Sequence, residues 1–450
     1  MLDILNGLIG AGSALFFGAL AVTSYAEKEI RAAKISLAFA CIALLLWLSV
    51  IPAAGAWANG LAVLGLAAAG LVSLIPFFPG APAPRQVAAA AQQYDERDTM
   101  FARNNIQHYP ELMDAYYEMR PENLSTDRQI HKKPEFGDPR QVFHDDYAAP
   151  LYDAAFGYLA RTIPLSDGEP FPEKKEIDPE RFAGGLSDMI RFYGGCGTGI
   201  IPMAAHHYYS HKGRHAENWG KVPDQSYPTA IVIVVPMRTE MIKQGPTSCV
   251  IQESSQKYVE AAKISNIIAG YIRQFGYRAR AHNDANYDTL CVPLAVESGL
   301  GELGRMGIFM HKTHGPCVRL AVVTTDLELP ATAPDRDLHM ESFCRICKKC
   351  ADNCPSGSIT RREEQNSRGF RHWSIDQAQC FSYWKTIGSD CGMCISVCPY
   401  TKPDTFIHKL VRFYISRNIL NQHVALLMDD LLYGRKKALP KTNPDSIFRT

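Results

Sequence analysis

The sequence lacks any large excess of charge of one sign. Its 450 residues contain 47 Lys and Arg against 46 Asp and Glu, which gives a formal net charge of +1. Proteins that bind nucleic acid usually carry a basic excess that neutralises phosphates. Bulk composition therefore does not favour nucleic acid as a partner, and we predict none.

Two N-terminal stretches, residues 4–26 and 35–84, lack charged residues altogether. Since about 20 apolar residues cross the hydrocarbon core of a bilayer, the first stretch is long enough for one span and the second for two. The Pro, Gly and Asn of residues 52–60 supply a turn in the second stretch. We therefore predict an all-α membrane anchor in residues 1–80. The predicted transmembrane helices are residues 4–24, 35–54 and 60–78.

The start of the chain also lacks the marks of an export signal. No basic residue and no twin-arginine pair precedes the first apolar stretch, which follows Asp3, so a cleaved signal peptide is disfavoured. The short loop after that stretch contains Lys28, Arg31 and Lys34. The positive-inside rule places this loop in the cytoplasm. With three spans, the large C-terminal part is then expected in the cytoplasm as well.

The residues that follow are predicted to fold as an α/β domain. Residues 81–94, rich in Pro and Ala, are predicted to be a linker. Short β-branched runs at 229–235 and 317–327 predict buried strands. Strands interleaved with helical patterns are typical of an α/β domain, which we place at residues 95–335.

The strongest helical pattern spans residues 254–276. Ser254 or Ser255 is suited to cap its start, apolar residues recur at spacings of three and four, and Gly276 is suited to end it.

The segment GLGELG, at residues 299–304, matches the dinucleotide-binding fingerprint. That fingerprint requires a strand directly before its glycines, whereas residues 291–298 contain a proline and have a helical pattern. We therefore interpret these glycines as positions of close backbone packing.

Cysteine is present in an odd number, thirteen, which does not suit a fully oxidised disulfide framework. Eight of the cysteines form two motifs that both end in Cys-Pro. The motifs are Cys344-x2-Cys347-x2-Cys350-x3-Cys354-Pro355 and Cys380-x10-Cys391-x2-Cys394-x3-Cys398-Pro399. The compact spacing is that of bacterial two-cluster ferredoxins, in which the fourth cysteine of each motif ligates the other cluster.

Cross-ligation of this kind predicts two 4Fe–4S clusters in a ferredoxin-like domain at residues 336–401. The first cluster would use Cys344, Cys347, Cys350 and Cys398, and the second Cys354, Cys380, Cys391 and Cys394. Cys380 would reach the second cluster from farther away than in ordinary ferredoxins. Structural zinc is disfavoured because zinc knuckles do not need two Cys-Pro endings, while one cluster plus unligated thiols stays open. Residues 402–450 are predicted to be a C-terminal extension.

Histidine recurs every four residues at His207, His211 and His215. This spacing suggests a metal site, but no carboxylate of the segment is placed to orient the rings. We favour a polar segment that lines a pocket.

Five features in order resemble the reductive dehalogenases, across nearly all of residues 95–400. They are ERDTMFAR, YYSHKGR, PLAVESGLGELGRMG, GPCVRLAVVTTDLEL and the two cysteine motifs. The resemblance implies a nitroreductase-like α/β domain that binds base-off cobalamin, beside the ferredoxin-like domain. It implies reductive cleavage of a carbon–halogen bond in an organohalide, with electrons from a ferredoxin, a flavodoxin or a membrane donor. Unlike the respiratory members, this chain carries its predicted anchor fused and has no twin-arginine signal.

The same resemblance implies the catalytic residues. Tyr258 would donate the proton that replaces the halide, and Arg319 would stabilise its phenolate, since an unperturbed phenol has a pKa of about 10. The polar partner of the family would fall on Asn286, or on Asn283.

Two other functions stay open. The epoxyqueuosine reductases share cobalamin and two clusters, but they act on transfer RNA and carry a C-terminal helical repeat. A membrane-tethered 4Fe–4S electron-transfer protein without cobalamin is the second alternative.

Overall fold

The computed structural model describes residues 2–50, 92–284, 286–333, 339–362, 365–367 and 370–440. The helices are α1 (Leu2–Ala26), α2 (Ile30–Val50), α3 (Met100–Asn105), α4 (Pro110–Met119), α5 (Leu124–His131), α6 (Ala148–Thr162), α7 (Pro179–Phe192), α8 (Thr239–Ile242), α9 (Ser248–Arg273), α10 (Cys291–Glu297), α11 (Met340–Cys347), α12 (Lys349–Asp352), α13 (Gln377–Ile387), α14 (Met393–Ser396), α15 (Phe406–Arg417) and α16 (Ile419–Tyr433). The strands are β1 (Gly197–Pro202), β2 (Thr229–Pro236), β3 (Ala279–His282), β4 (Gly301–Leu303), β5 (Phe309–His311), β6 (Val318–Thr325), β7 (Gln365–Ser367) and β8 (Phe370–His372).

The chain forms two compact units. In the described residues, the four-helix unit consists of α1, α2 and residues 404–437, and the larger unit consists of the described part of 92–403 and residues 438–440.

A four-stranded antiparallel sheet organises the larger unit, with strand order β1-β2-β6-β3. β2 and β6 are the two strands predicted from the sequence. Both faces of the sheet are covered: Ile231 and Ile233 pack towards α7 and α9, whereas Val232 and Val234 pack towards α10. Alternate residues of β2 thus enter two different cores, which explains its uninterrupted apolar sequence. The α/β architecture predicted for this region is confirmed.

Helix α9 begins at Ser248, six residues before the predicted start, so neither Ser254 nor Ser255 is its cap. Both serines are buried inside the helix, and the Ser255 hydroxyl donates to the Gln252 carbonyl at 2.9 Å. A serine that satisfies its hydroxyl within the preceding turn is tolerated inside a helix. Beyond the helix, Gly276 has a φ of +81°, a conformation that favours glycine.

The glycine-rich segment follows a helix, α10, as predicted, and not a strand. Gly301 opens β4, which pairs with β5. A Cβ atom on Gly301 would overlap the Met310 carbonyl oxygen of β5. This glycine therefore permits close approach of two backbones.

We expect Gly301→Ala to lower the thermal midpoint, with a cost of about 1–3 kcal/mol, because β4 and β5 must separate to admit a methyl group. Gly185→Ala in α7 is the matched control. Gly185 has no heavy atom within 4 Å of its Cβ position, so alanine there should stabilise the helix by up to about 1 kcal/mol. Equal thermal midpoints for the two variants would contradict the close-packing interpretation.

The four-helix unit pairs α1 and α2 with the C-terminal helices α15 and α16. Glu27, between α1 and α2, accepts a hydrogen bond from the buried His408 Nε2 at 3.0 Å. Arg31 donates to the Leu431 carbonyl near the end of α16. The predicted C-terminal extension therefore forms, in its described part, one unit with the N-terminal helices.

The membrane prediction is not supported by the described residues. Helices α1 and α2 overlap the predicted spans 4–24 and 35–54. Among the residues that the structure describes, however, no helix is both long and apolar enough to cross a membrane. The predicted span 60–78 and nearly all of the predicted linker 81–94 lie outside the described residues.

Candidate functional site

The eight motif cysteines interact with one another, and Cys350 and Cys394 do so across the two predicted groups. The first thiol group consists of Cys344, Cys347, Cys350 and Cys398, and the second of Cys354, Cys380, Cys391 and Cys394. Burial raises the pKa of Cys398 well above its ordinary value, and Cys344, Cys347 and Cys350 raise it further. Burial likewise raises the pKa of Cys391 to about 12, with Cys380 and Cys354 adding to the shift. The members of each group are therefore close enough to interact.

The chain geometry brings these thiols together. Lys348, between α11 and α12, has a φ of +56°, and this left-handed residue turns the chain between Cys347 and Cys350. Cys380 lies in α13 and interacts with Cys354, Cys391 and Cys394. Its role as a ligand stays a prediction.

The thiol groups fit iron–sulfur clusters by their donor chemistry. Burial raises the pKa of both Cys344 and Cys350 to about 12. Buried thiols of this kind lose their protons only where a cation compensates the negative charge, and soft thiolate sets of four select iron–sulfur clusters or zinc.

Tyr258 and Arg319 are brought together by α9 and β6. The Arg319 guanidinium carbon lies 4.8 Å from the centre of the Tyr258 ring, within the range of a cation–π contact. Arg319 Nη2 also donates to Ser254 Oγ at 2.6 Å. Ser254, predicted to be a helix cap, thus orients the guanidinium instead.

Asp390 joins this pair to the second thiol group. Its Oδ2 accepts from Arg319 Nη2 at 3.3 Å, and the next residue in the chain is Cys391. A continuous sequence of contacts therefore leads from a thiol of the second group through Asp390 and Arg319 to the Tyr258 ring.

Burial raises the pKa of Tyr258 to about 12. Arg319 lowers it, as the sequence argument expected, but Asp284 and Asp390 oppose that effect. The net direction is upward, so Tyr258 is a neutral phenol near neutral pH. A neutral phenol is the form that can donate a proton.

The two predicted amide partners each form hydrogen bonds within the protein, and their role beside Tyr258 stays a prediction. Asn286 accepts from Arg280 Nη2 at 3.0 Å, and Asn283 donates to Ser265 and Asn266 of α9. Asp284 and Tyr287 of this loop both interact with Tyr258 and Arg319.

The sequence did not indicate Asp284, because Asn283, Asp284 and Asn286 lie within four positions and no local pattern shows which of them approaches Tyr258. The feature that orients the loop is Arg280, which binds both Asp288, at 2.8 Å, and Asn286. Nothing in the local sequence indicates that pairing.

His207 and His211, two of the three histidines that recur every four residues, contact different side chains. His207 Nε2 lies 3.0 Å from Glu297, as does His206 Nε2, whereas His211 contacts Ser210 and Asp95. The Ala204 amide donates to His207 Nδ1 at 3.0 Å, so the proton of a neutral ring is on Nε2, which then donates to Glu297. That tautomer leaves no lone pair on His207 for a metal. The polar-segment interpretation fits this geometry.

Several buried polar atoms in this region have no partner within the protein. They are Gln252 Oε1 and Nε2 in α9, and Asn283 Oδ1, Asn286 Nδ2 and Thr289 Oγ1 in the loop before α10. Buried polar groups are normally satisfied. These atoms lie on the helix and the loop that also carry Tyr258 and Asp284, and they suit a large, amide-rich cofactor.

Parts of the chain are similar to a known iron–sulfur domain and to two kinds of reductase. A model of the 4Fe–4S dicluster domain matches residues 343–402. The tetrachloroethene reductive dehalogenase of Sulfurospirillum multivorans is 35% identical over 217 residues, which cover 46% of this chain and 42% of that protein. An epoxyqueuosine reductase of Lactococcus garvieae is 26% identical over 162 residues, covering 33% of this chain and 40% of that protein.

A solved structure of a catabolic reductive dehalogenase shares the fold. Its TM-score is 0.64 at 22% identity, and the match covers 81% of this chain and 50% of that one. The chain spans less than half the length of the reductive dehalogenase relative matched by sequence.

Proposed function

We propose that this chain, a homologue of the reductive dehalogenases with a 4Fe–4S dicluster domain, reductively cleaves a carbon–halogen bond of an organohalide. The net reaction is R–X + 2 e⁻ + H⁺ → R–H + X⁻. The observation that carries the proposal is the contact between Arg319 and Asp390. Asp390 directly precedes Cys391, a proposed cluster ligand, and Arg319 lies over the Tyr258 ring. The contact therefore holds the proposed electron source close to the proposed proton donor.

Two cofactors are proposed. The two thiol groups hold 4Fe–4S clusters that receive electrons one at a time from a low-potential donor: a ferredoxin, a flavodoxin or a membrane donor. Cobalamin, when bound, supplies the chemistry of carbon–halogen cleavage. Gln252, Asn283 and Thr289 are the residues that we expect to hold its polar periphery.

In the proposed reaction, side chains of the protein hold the proton and deliver it to the substrate. Tyr258 holds it on the phenol oxygen and delivers it to the carbon that loses halide. Arg319 lies over the ring and stabilises the phenolate that remains, and Ser254 and Asp390 fix the guanidinium by hydrogen bonds. Asp284 adds a negative charge that keeps the phenol protonated.

The pKa of Tyr258 predicts the pH dependence. A donor with a pKa of about 12 stays protonated as pH rises, so Tyr258 should cause no loss of rate between about pH 7 and about pH 10. Asp284→Asn removes a charge that raises this pKa, so the alkaline loss of rate should begin at lower pH. Asp188→Asn, an exposed carboxylate in α7, is the control. An unshifted pH–rate profile in Asp284→Asn would contradict the role of Asp284.

The proposed function is tested by anaerobic purification and reconstitution with cobalamin. We expect one cobalt and two clusters per chain, and halide release from at least one member of a panel of organohalides given a low-potential reductant. Retention of both clusters without cobalt would favour an electron-transfer protein. Cobalt binding with reduction of an epoxyqueuosine-containing RNA, and no halide release, would favour the other alternative.

We also propose that the chain is a multi-pass membrane protein with its catalytic part in the cytoplasm. The charge-free residues 4–26 and 35–84 and the cations Lys28, Arg31 and Lys34 support this proposal. A reporter fused after Thr450 should be active in the cytoplasm. Activity of that reporter in the periplasm alone would contradict the orientation.

A further inference from the structure

The C-terminal helices of the four-helix unit carry two exposed apolar stripes. The α15 stripe is Phe406, Leu410 and Phe413, at spacings of four and three. The α16 stripe is Leu420, Val424, Leu427 and Leu431, at spacings of four, three and four. All seven side chains are exposed, and Phe406 and Leu427 reach 79% and 68%. Such spacing places each set on one face of its helix.

These stripes are separate from the apolar residues that hold the unit together. Ile407 and Leu432, on the same two helices, are buried against Leu20 of α1 and Ala32 of α2. The helices therefore use one face for the core of the unit and present a second apolar face outwards. Exposed apolar surface of this extent marks an interaction site.

Positive charge surrounds the stripes. Residues 404–437 contain six Lys and Arg against three Asp. Arg417 lies directly on the α15 stripe, with its guanidinium carbon 4.1 Å from the centre of the Phe413 ring. Aromatic and aliphatic residues with adjacent Lys and Arg are typical of helices that lie in the headgroup region of a membrane.

The N-terminal helices extend the same apolar character. Leu15 and Val22 of α1 are 74% and 72% exposed, and Leu37 and Leu45 of α2 are also exposed. Apolar side chains are thus exposed on all four helices of the unit. A protein partner covers a single patch, whereas a lipid phase reaches every helix, so lipid is the occupant that this distribution favours.

We infer that α15 and α16 are a lipid-binding hairpin whose two stripes insert into the headgroup region of an anionic bilayer. Glu27 and Arg31 hold the hairpin against the loop between α1 and α2 through His408 and the Leu431 carbonyl. The hairpin would therefore contact the membrane on the same side as that basic loop. This inference concerns membrane contact and does not depend on the proposed reaction.

Photo-crosslinking in the full chain tests the inference at the hairpin itself, because the N-terminal helices could bind vesicles by themselves. Benzoylphenylalanine is placed at Leu427, and at Phe192 as a control that is 83% exposed in the larger unit. The probes are vesicles of phosphatidylcholine with and without phosphatidylglycerol. We expect phospholipid adducts at position 427, more with phosphatidylglycerol and fewer at high salt, and few or none at 192.

A double variant, Leu420→Ser with Leu427→Ser, should reduce the yield of lipid adducts formed from benzoylphenylalanine at Phe413 by at least about tenfold, since two apolar side chains no longer enter the lipid. Halide release in detergent should equal that of the wild type, which separates this test from that of the reaction. Adducts to a second copy of the chain, or equal lipid adducts at 192 and 427, would overturn the inference.

Discussion

Tyr258→Phe is expected to reduce dehalogenation by about 10²–10⁴ while leaving both clusters, cobalamin binding and the fold intact. A positioned general acid contributes a factor of this size. The substitution removes one hydroxyl, and the ring still fills its space beneath Arg319. Halide release is measured beside iron and cobalt content in the same preparation. Near-normal turnover with cobalt bound would make Tyr258 a packing residue.

Arg319→Lys is the companion variant. Lysine keeps the charge but loses the planar guanidinium that lies over the Tyr258 ring and whose Nη2 donates to both Ser254 and Asp390. We expect an intermediate loss of turnover, and a double variant with Tyr258→Phe should lose no more than Tyr258→Phe alone, because both residues act on one proton transfer. Additive losses would show that Arg319 acts elsewhere.

A single cysteine substitution in either thiol group should remove the cluster of that group and stop turnover. Cys347→Ala is expected to damage the first cluster and Cys394→Ala the second, each with a loss of about half of the iron and a distinct change in the low-temperature EPR spectrum. Cys249→Ala makes the same chemical change at a buried cysteine outside both groups and should leave the iron content unchanged.

Cys380→Ala tests the proposed ligand that is most distant in sequence from the other cysteines of its motif. Cys380 lies near Cys354 and Cys391, so its loss should affect the second cluster alone. If both clusters survive in Cys380→Ala, another residue supplies the fourth ligand.

The features that could be predicted from the sequence are those that local spacing determines. The β-branched runs predicted β2 and β6 because alternate residues had to enter two cores. The cysteine spacing predicted that neighbouring thiols of one motif interact, because short turns connect Cys347 with Cys350 and Cys391 with Cys394.

What could not be predicted depends on distant contacts. Asp284 interacts with Tyr258, whereas the side-chain oxygen of Asn286 accepts a hydrogen bond from Arg280 of the neighbouring strand. The pairing of the C-terminal helices with α1 and α2 rests on Glu27 and His408, which are 381 positions apart in the chain. No pattern within either segment reports such a pair.

The central claim is tested most directly by identifying the product formed from an organohalide in deuterated water. The reconstituted protein, supplied with cobalamin and a low-potential reductant, is expected to release one halide per dehalogenated product, with one deuterium at the carbon that carried the halogen. Omission of cobalamin should abolish this product. Absence of halide release by protein that holds both clusters and cobalamin, across a broad panel of organohalides, would contradict the account.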